Sequence, residues 1–240
     1  MYRVGIDLGG TNIAAGLVTD EGKILCKKSI PTLASERTGE EIVHAMAQLT
    51  LDIMKENQLE EKDIRSIGIG SPGVADSKNG ILVYTVNLPL VHTNFRKIFA
   101  EYTSIPMYIN NDANCAALGE YHAGCGGGAH SMLMFTLGTG VGSGFIVDGR
   151  IYTGWNGAAV EAGHMLLVMD GRQCGCGRRG CLEAYASATA LISDAREAMS
   201  GAPESLLWQT AGGSLEGVNG KTIIDALVMG DRTARGVWDN

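Results

Sequence analysis

Two short glycine-rich segments could bind phosphate groups. The first is Asp7-Leu8-Gly9-Gly10-Thr11-Asn12, and the second is Gly138-Thr139-Gly140-Val141-Gly142-Ser143-Gly144. Because glycine has no side chain, backbone N–H groups in such turns can approach phosphate oxygens. Thr11 and Asn12 add side-chain donors, and the Asp7 carboxylate could hold a hydrated Mg²⁺ ion. The alternative for the first segment is a plain β-turn with a solvated aspartate.

Neither segment is a dinucleotide-binding or P-loop motif. In the second segment, no Gly-x-Gly pair has a further glycine three residues later, and a strand is predicted to follow where a helix is required. Gly220-Lys221-Thr222 looks like the end of a P-loop, but Leu215 stands where that loop needs glycine. We therefore reject both the NAD-binding and the P-loop interpretations.

The segment Asn110-Asn111-Asp112-Ala113-Asn114 joins a predicted strand to a predicted helix. Asp and Asn are frequent helix N-caps, so a capping cluster is one interpretation. The other makes Asp112 a general base that accepts a hydroxyl proton, with Asn111 hydrogen-bonding the same substrate. Phosphoryl transfer needs such a group to orient the nucleophile.

One histidine and three cysteines have the spacing of a metal site. His164 is followed by Cys174, Cys176 and Cys181. One imidazole and three thiols complete a tetrahedral shell and leave no open position, which predicts a structural Zn²⁺ ion. A buried thiol cluster or a redox pair is the alternative.

Two glutamates flank this predicted metal site. Glu161 lies three residues before His164, and Glu183 lies two residues after Cys181. A metal that fixes its ligands also positions the residues beside them. Carboxylates accept hydrogen bonds from sugar hydroxyls, so both glutamates are candidate sugar ligands. The alternative is that both are ordinary surface acids.

Hydrophobic periodicity predicts the elements that position these groups. Strands are predicted over 2–7, 13–18, 23–29, 64–70, 81–86, 106–110, 131–137 and 144–153. Helices are predicted over 39–57, 113–123, 183–200 and 221–230, and Thr38 with Glu41 predicts a capping box before the first.

The strand–turn–strand pattern occurs twice. Leu8-Gly9-Gly10-Thr11, followed by Gly16-Leu17-Val18, is echoed by Leu137-Gly138-Thr139-Gly140 and then Gly144-Phe145-Ile146. Two unrelated glycine hairpins would explain the echo. Two related lobes, each offering a hairpin to one ligand, would explain it as well.

Composition narrows the class of protein. The 240 residues carry a formal net charge of −7, which gives no electrostatic attraction to nucleic acid or to anionic membranes. No apolar run reaches the length of a membrane span, and the start lacks the features of a signal peptide. We therefore expect a cytoplasmic protein with reduced cysteines and with neither a nucleic acid nor a membrane as partner.

Taken together, the sequence resembles the ROK family of sugar kinases over nearly its whole length. The motifs that carry the resemblance occur in the family's order: Asp7–Asn12, Ser71-Pro72-Gly73, Asn87-Leu88-Pro89, Asn111–Asn114, Leu137–Gly144, Glu161-Ala162-Gly163-His164 and Cys174–Ser187. The most specific is the cysteine cluster followed by Leu182-Glu183-Ala184-Tyr185-Ala186-Ser187.

The resemblance implies an α/β protein with the actin-like ATPase (ribonuclease H-like) fold, in two lobes with a cleft between them. We place the small lobe at 1–112 and the large lobe at 113–240. Family members continue with a further strand, a Gly-Gly turn and closing helices, so we expect the C-terminal part of the large lobe to be missing here. A homo-oligomer, most simply a dimer, is also expected.

The resemblance also implies roles for individual residues. Asp112 would be the catalytic base, Asp7 would hold Mg²⁺, and His164 would bind Zn²⁺ through one nitrogen and sugar through the other. The remaining sugar ligands would be Gly73, Asn87, Asn111, Glu161 and Glu183. The ATP phosphates would be bound by Gly9, Gly10, Thr11, Asn12, Gly138, Thr139 and Gly140.

The expected activity is phosphorylation of a hexose 6-hydroxyl by ATP, with glucose as the first candidate. N-acetylglucosamine, N-acetylmannosamine and fructose are the alternative substrates, and a non-catalytic sugar-binding protein is the alternative class. ROK repressors carry a helix-turn-helix domain before the first strand. Because the first strand here begins at Tyr2, we expect no such domain.

Overall fold

The computed structural model describes all 240 residues. The strands are β1 (Tyr2–Leu8), β2 (Asn12–Thr19), β3 (Ile24–Pro31), β4 (Ile64–Ser71), β5 (Val74–Asp76), β6 (Ile81–Tyr84), β7 (Val91–Asn94), β8 (Met107–Asn111), β9 (Ser131–Leu137), β10 (Val141–Val147) and β11 (Arg150–Ile151). The α-helices are α1 (Gly39–Glu56), α2 (Phe95–Phe99), α3 (Asp112–Ala123), α4 (Glu183–Ala186), α5 (Ala188–Ser200), α6 (Leu206–Thr210), α7 (Gly220–Val228) and α8 (Arg232–Asp239). None of these helices is both long enough and apolar enough to cross a membrane.

The chain divides into two compact units. The first comprises Met1–Met134 with Ser143–Val160, and the second comprises Phe135–Gly142 with Glu161–Asn240. The lobe boundary between residues 112 and 113 that we infer from the sequence stays a prediction.

A five-stranded sheet in the order β3-β2-β1-β4-β8 forms the centre of the first unit. β1, β2 and β3 are antiparallel neighbours, whereas β4 is parallel to β1 and to β8. The carboxyl ends of parallel strands meet at one edge, where ligands bind in open α/β sheets. The register pairs Asp7 with Gly70, and Gly70 with Asn110, so this edge collects the polar segments that follow β1, β4 and β8.

Hydrophobic burial fixes this sheet. Val4, Ile6 and Leu8 of β1 are buried and alternate with exposed Gly5 and Asp7, as expected for a strand with one face in the core. α1 covers that core with an apolar face, and burial of each Leu, Ile or Met side chain contributes roughly 1.5–3 kcal/mol. The structure confirms the predicted capping box at the start of α1.

The second unit contains a helical core formed by α5, α6, α7 and α8. Met199, Leu207 and Ile223 are fully buried there. The prediction of a single helix over 183–200 was wrong in one respect. The segment forms two helices, α4 and α5, which are separated at Ser187. Ser187 is extended, and its hydroxyl caps α5 by accepting the Ala190 N–H.

Candidate active site

Two carboxylates lie at the carboxyl edge of the sheet in the first unit. Asp7 is the next-to-last residue of β1, and Asp112 begins α3 directly after β8. Asp7 reaches the surface, but the atoms packed around its carboxylate exclude part of the water, and this desolvation together with the nearby Asp112 carboxylate raises the pKa of Asp7. Burial raises the pKa of the Cys115 thiol to about 11, and the charges of Asp112 and Asp7 add to this effect. The two carboxylates therefore interact electrostatically at this edge of the sheet.

Hydrogen bonds fix the backbone on both sides of Asp112. The Asn111 side chain accepts the Asn114 N–H at 3.1 Å and donates to the Gly73 carbonyl oxygen at 3.3 Å. The Asn110 side chain accepts the Asn111 N–H at 2.8 Å and the Asn114 amide at 3.1 Å. The capping interpretation of this segment is therefore correct for Asn111, and it leaves the exposed Asp112 carboxylate available for a second role.

The loop after β4 approaches the loop after β6 closely at Gly73. Gly73 has φ = 90°, and a Cβ there would overlap the Tyr84 carbonyl oxygen, so only glycine fits. Asn87 is exposed in the connection between β6 and β7. Thr85, two residues before it, is buried, and its hydroxyl has no hydrogen-bond partner in the protein.

The first glycine hairpin joins β1 to β2. Its turn is closed by a hydrogen bond from the Gly9 N–H to the Asn12 carbonyl oxygen at 2.9 Å. Thr32, which is buried and directly follows β3, makes two hydrogen bonds to this turn. Its hydroxyl donates to the Gly9 carbonyl at 2.7 Å, and its N–H donates to the Thr11 carbonyl at 2.8 Å. Gly10, Thr11 and Asn12 remain exposed, and a phosphate group could reach them there.

The second glycine hairpin joins β9 to β10, and its tip belongs to the second unit. The Gly138 N–H donates to the Gly140 carbonyl at 3.0 Å. From the start of α5, the Ala188 N–H donates to the Gly138 carbonyl at 2.9 Å and the Thr189 hydroxyl to the Thr139 carbonyl at 2.7 Å. The helix start therefore fixes the turn, while Gly138 and Thr139 are exposed.

The predicted metal ligands come together in the second unit. One ligand atom from each of His164, Cys174, Cys176 and Cys181 lies within 4.8 Å of all the others. A tetrahedral shell with metal–sulfur bonds of about 2.3 Å requires neighbouring sulfurs about 3.8 Å apart and a sulfur–nitrogen separation of about 3.6 Å. Sγ of Cys176 is 3.7 Å from Sγ of Cys181, and Sγ of Cys174 is 3.7 Å from Nδ1 of His164. The donor set and these two separations fit a tetrahedral ion, and the other pairs of ligand atoms lie within 4.8 Å.

The thiols of this cluster differ in their environment. Hydrogen bonding from the Arg178 backbone and side chain lowers the pKa of Cys176 to about 6, whereas burial raises the pKa of Cys174. Gly177, with φ = 88°, lets the chain turn between these groups, and the Cys174 N–H donates to the Arg178 carbonyl at 2.9 Å. The segment thus folds back so that its cysteines face one point.

The two glutamates that flank the cluster have different surroundings. Glu183 Oε2 accepts the Val141 N–H at 2.9 Å, and Oε1 is 3.6 Å from Cys174 Sγ and 4.0 Å from His164 Nδ1. Glu161 is exposed and precedes the short 3₁₀ segment Ala162–His164, and its carbonyl oxygen accepts the His164 N–H at 3.0 Å.

Each unit therefore gathers part of the predicted set. The first unit brings Asp7, Gly73, Asn111 and Asp112 to one sheet edge, with Asn87 in an adjoining loop. The second unit brings Glu183 and the four metal ligands together beside the second hairpin. The sequence did not predict a separate role for the residues that hold these groups in place: Asn110, Thr32, Gly163 and the start of α5. Among them, only Asn110 could have been noticed in the sequence, because it is a polar residue at the end of a predicted strand.

Comparison with known proteins identifies the family of this chain. The sequence matches the ROK family over residues 3–240. It is 38% identical over 237 residues to a glucokinase of Thermotoga maritima, which covers 98% of this chain and 73% of that protein. It is 33% identical to an N-acetylmannosamine kinase of Escherichia fergusonii, over 88% of this chain and 70% of that one.

The fold is also similar to solved structures. The ROK glucokinase of Streptomyces griseus, crystallised with glucose and AMPPNP, superposes with a TM-score of 0.83 at 35% identity, over 99% of this chain and 74% of that one. This confirms the predicted actin-like ATPase fold. The family match and these similarities show that the chain belongs to the ROK family.

Proposed function

We propose that this chain is a sugar kinase that transfers the γ-phosphoryl group of ATP to the 6-hydroxyl of a hexose, with glucose as the first candidate. The main support for this proposal is the position of Asp112 at the sheet edge, where its carboxylate interacts electrostatically with Asp7. A carboxylate in this position can accept the proton of a hydroxyl group. The similarity to glucokinases, one of them crystallised with glucose and AMPPNP, supports both substrates.

The proposed reaction uses Asp112 as the general base. Its carboxylate takes the proton of the sugar hydroxyl while that oxygen forms a bond to the γ-phosphorus. The bond from the γ-phosphorus to the bridging oxygen breaks, and its electron pair leaves with ADP. Mg²⁺, when bound, offsets the phosphate charge, and Asp7 is the residue we assign to it. Asn111 keeps Asp112 in place through its bonds to Gly73 and Asn114.

We assign the sugar and phosphate ligands by the family resemblance and by exposure. The turns of both glycine hairpins, most of whose residues are exposed, are suited to phosphate oxygens. We assign this role to Gly9, Gly10, Thr11 and Asn12 in the first, and to Gly138, Thr139 and Gly140 in the second. The proposed sugar ligands are Gly73, Asn87, Asn111, Asp112, Glu161, His164 and Glu183.

We also propose a structural zinc ion on His164, Cys174, Cys176 and Cys181. The matching sulfur–sulfur and sulfur–nitrogen distances support it, and four protein ligands leave no position for substrate on the ion. His164 Nδ1 faces the cysteines, so Nε2 is the nitrogen left for a sugar hydroxyl. The ion would fix the backbone at Cys181, two residues before Glu183, and at His164, directly after Gly163.

Replacement of the proposed base tests the function directly. We expect Asp112→Asn to bind glucose with affinity close to that of the parent chain but to form ADP at least about 1,000-fold more slowly, because an amide cannot accept the proton. Asp148→Asn, in an exposed turn, is the matched control and should keep parental turnover. ADP formation by Asp112→Asn near the parental rate would reject the assignment.

A hexose panel tests the choice of substrate. ADP release should be fastest with glucose. N-acetylmannosamine is the second candidate, because of the similarity to kinases named for that sugar, and N-acetylglucosamine and fructose complete the panel. Sugar binding by calorimetry without ADP release from any member would favour a non-catalytic sugar-binding protein over a kinase.

A further inference from the structure

The backbone of Val141, in the second glycine hairpin, is enclosed by neighbours of two metal ligands. Its N–H donates to Oε2 of Glu183, which lies two residues after Cys181. Its carbonyl oxygen packs directly on Gly163, the residue before His164, where a Cβ would overlap it. Val141 is itself buried. The position of the hairpin is therefore tied to the segment that carries the metal ligands.

A single carboxylate makes the polar part of this connection. Glu183 contacts the hairpin with Oε2 at 2.9 Å, while Oε1 lies 3.6 Å from Cys174 Sγ and 4.0 Å from His164 Nδ1. A metal-bound Cys174 thiolate and a metal-bound His164 Nδ1 carry no proton to donate to Oε1. Glu183 is therefore tied to an occupied cluster through the backbone, two residues after Cys181, and its hydrogen bond is the one that it accepts from the Val141 N–H. Residues outside the ligand shell that hold ligands in place tune a metal site, and their loss commonly costs 10- to 100-fold in metal affinity.

We propose that Glu183 is a positioning residue that couples the metal cluster to the second glycine hairpin. An occupied cluster fixes the backbone at Cys181 and so positions Glu183, and Glu183 accepts the Val141 N–H. A displaced hairpin in turn weakens metal retention, because coupling between two sites is reciprocal. The inference rests on the proposed function for the identity of the ion and for the phosphate-binding role of the hairpin. It adds a role to Glu183 beyond that of a sugar ligand.

Two glycines of the hairpin allow a matched test. A Cβ at Gly140 would overlap Oε2 of Glu183, whereas a Cβ at Gly138 has no atom within 4 Å. Neither glycine has a left-handed φ, so alanine suits both backbones. Gly140→Ala therefore displaces the Glu183 carboxylate without removing it or any metal ligand. Gly138→Ala adds the same methyl group to the same turn without meeting Glu183 or any other atom within 4 Å, so it is the control for metal release.

The experiment measures transfer of Zn²⁺ from the full chain to a chromophoric chelator, and the visible spectrum of the Co²⁺-loaded chain. We expect Gly140→Ala to release metal about tenfold faster than the parent and to shift the Co²⁺ bands, while Gly138→Ala matches the parent in both. A parental rate and spectrum for Gly140→Ala would overturn the proposal.

A double-mutant cycle makes the test specific for the carboxylate. In Glu183→Ala, which already releases metal faster, Gly140→Ala should add less than about twofold, because the methyl group no longer meets a side chain. An equal tenfold increment in that background would overturn the coupling. Should Gly140→Ala not fold, Glu183→Gln, whose amide oxygen can still accept the Val141 N–H, must release metal more slowly than Glu183→Ala.

None of these measurements depends on turnover. A failure of the coupling would leave the outcome for Asp112→Asn unchanged. A failure of the kinase assignment would likewise leave the metal-release comparison intact.

Discussion

The two glycine hairpins share a sequence pattern but are held by different forces. In the first, β1 and β2 bury alternate side chains in the main core, and buried Thr32 bonds the turn from below. In the second, β10 buries Val141 and Ile146 but β9 has no buried residue, and the turn itself is held by the Glu183 carboxylate and by the start of α5.

The difference shows how one local motif can depend on distant parts of the chain. The first hairpin follows from hydrophobic burial, which persists whatever ion is bound. The second also depends on polar contacts with the start of α5 and with Glu183, which follows the cysteine segment that we propose to be ordered by a metal. The first also carries Asp7, where the second carries Thr136 at the equivalent position. Changes that act on one hairpin should therefore leave the other largely unaffected.

Removal of the proposed metal should produce the largest difference between the two hairpins, because it should loosen the second and leave the first nearly unchanged. A structural Zn²⁺ ion contributes on the order of 10 kcal/mol to the folding of its site, so chelation should release the segment around the cysteines. We expect hydrogen exchange in peptides covering 137–142 and 161–182 to quicken at least about 100-fold, and exchange in 4–19 to change less than about threefold. Added Zn²⁺ should restore protection. Equal changes at both hairpins would contradict the comparison.

The same contrast explains what could be predicted from the sequence. β1 and α1 follow from local periodicity and capping, and the positions of Asp7 and Asp112 follow from the strands that end next to them. α2, only five residues long, is too short for a periodic signal. The hydrogen bond between Val141 and Glu183 joins residues 42 positions apart, and the sequence around neither residue predicts it. Close approach at Gly73 likewise depends on Tyr84, a tertiary contact.

Two threonine substitutions compare the side-chain hydrogen bonds that hold the turns of the two hairpins. Both hydroxyls donate at 2.7 Å to a turn carbonyl, but Thr32 is fully buried and Thr189 is exposed. Thr32→Val should lower the free energy of unfolding by about 1–3 kcal/mol, because the Gly9 carbonyl loses its donor away from water. Thr189→Val should cost about 0.5 kcal/mol or less, since water replaces the hydroxyl. Urea unfolding of both variants provides the measurement, and a larger loss for Thr189→Val would reverse the ranking.

Removing the charge of Asp7, which only the first hairpin carries, should have the smallest effect on folding stability. The pKa shift of Asp7 fixes the sign of this effect. Desolvation and the nearby Asp112 carboxylate raise the pKa of Asp7, so its charged form is less stable in the folded chain than in the unfolded chain. Ionised Asp7 therefore destabilises the fold above that raised pKa, and the penalty fades as the pH falls through it toward the ordinary value of 3.8. Without Mg²⁺, Asp7→Asn should raise stability at pH 7 by a few tenths of a kcal/mol, the scale of exposed charge interactions.

Asp20, in the turn at the far end of the same hairpin, provides the control of opposite sign. Desolvation opposes its ionisation, but the Arg3 guanidinium and the N-terminal ammonium outweigh this and lower the pKa of Asp20. Asp20→Asn should therefore reduce the melting temperature at pH 7, and this loss should shrink as the pH falls through and below 3.8. Thermal melts from pH 7 to pH 3 in magnesium-free buffer would show two gaps of opposite sign that both close at low pH. A gain for Asp7→Asn that does not change with pH would mean that the Asp7 charge does not cause it, and the electrostatic link between Asp7 and Asp112 would lose its support.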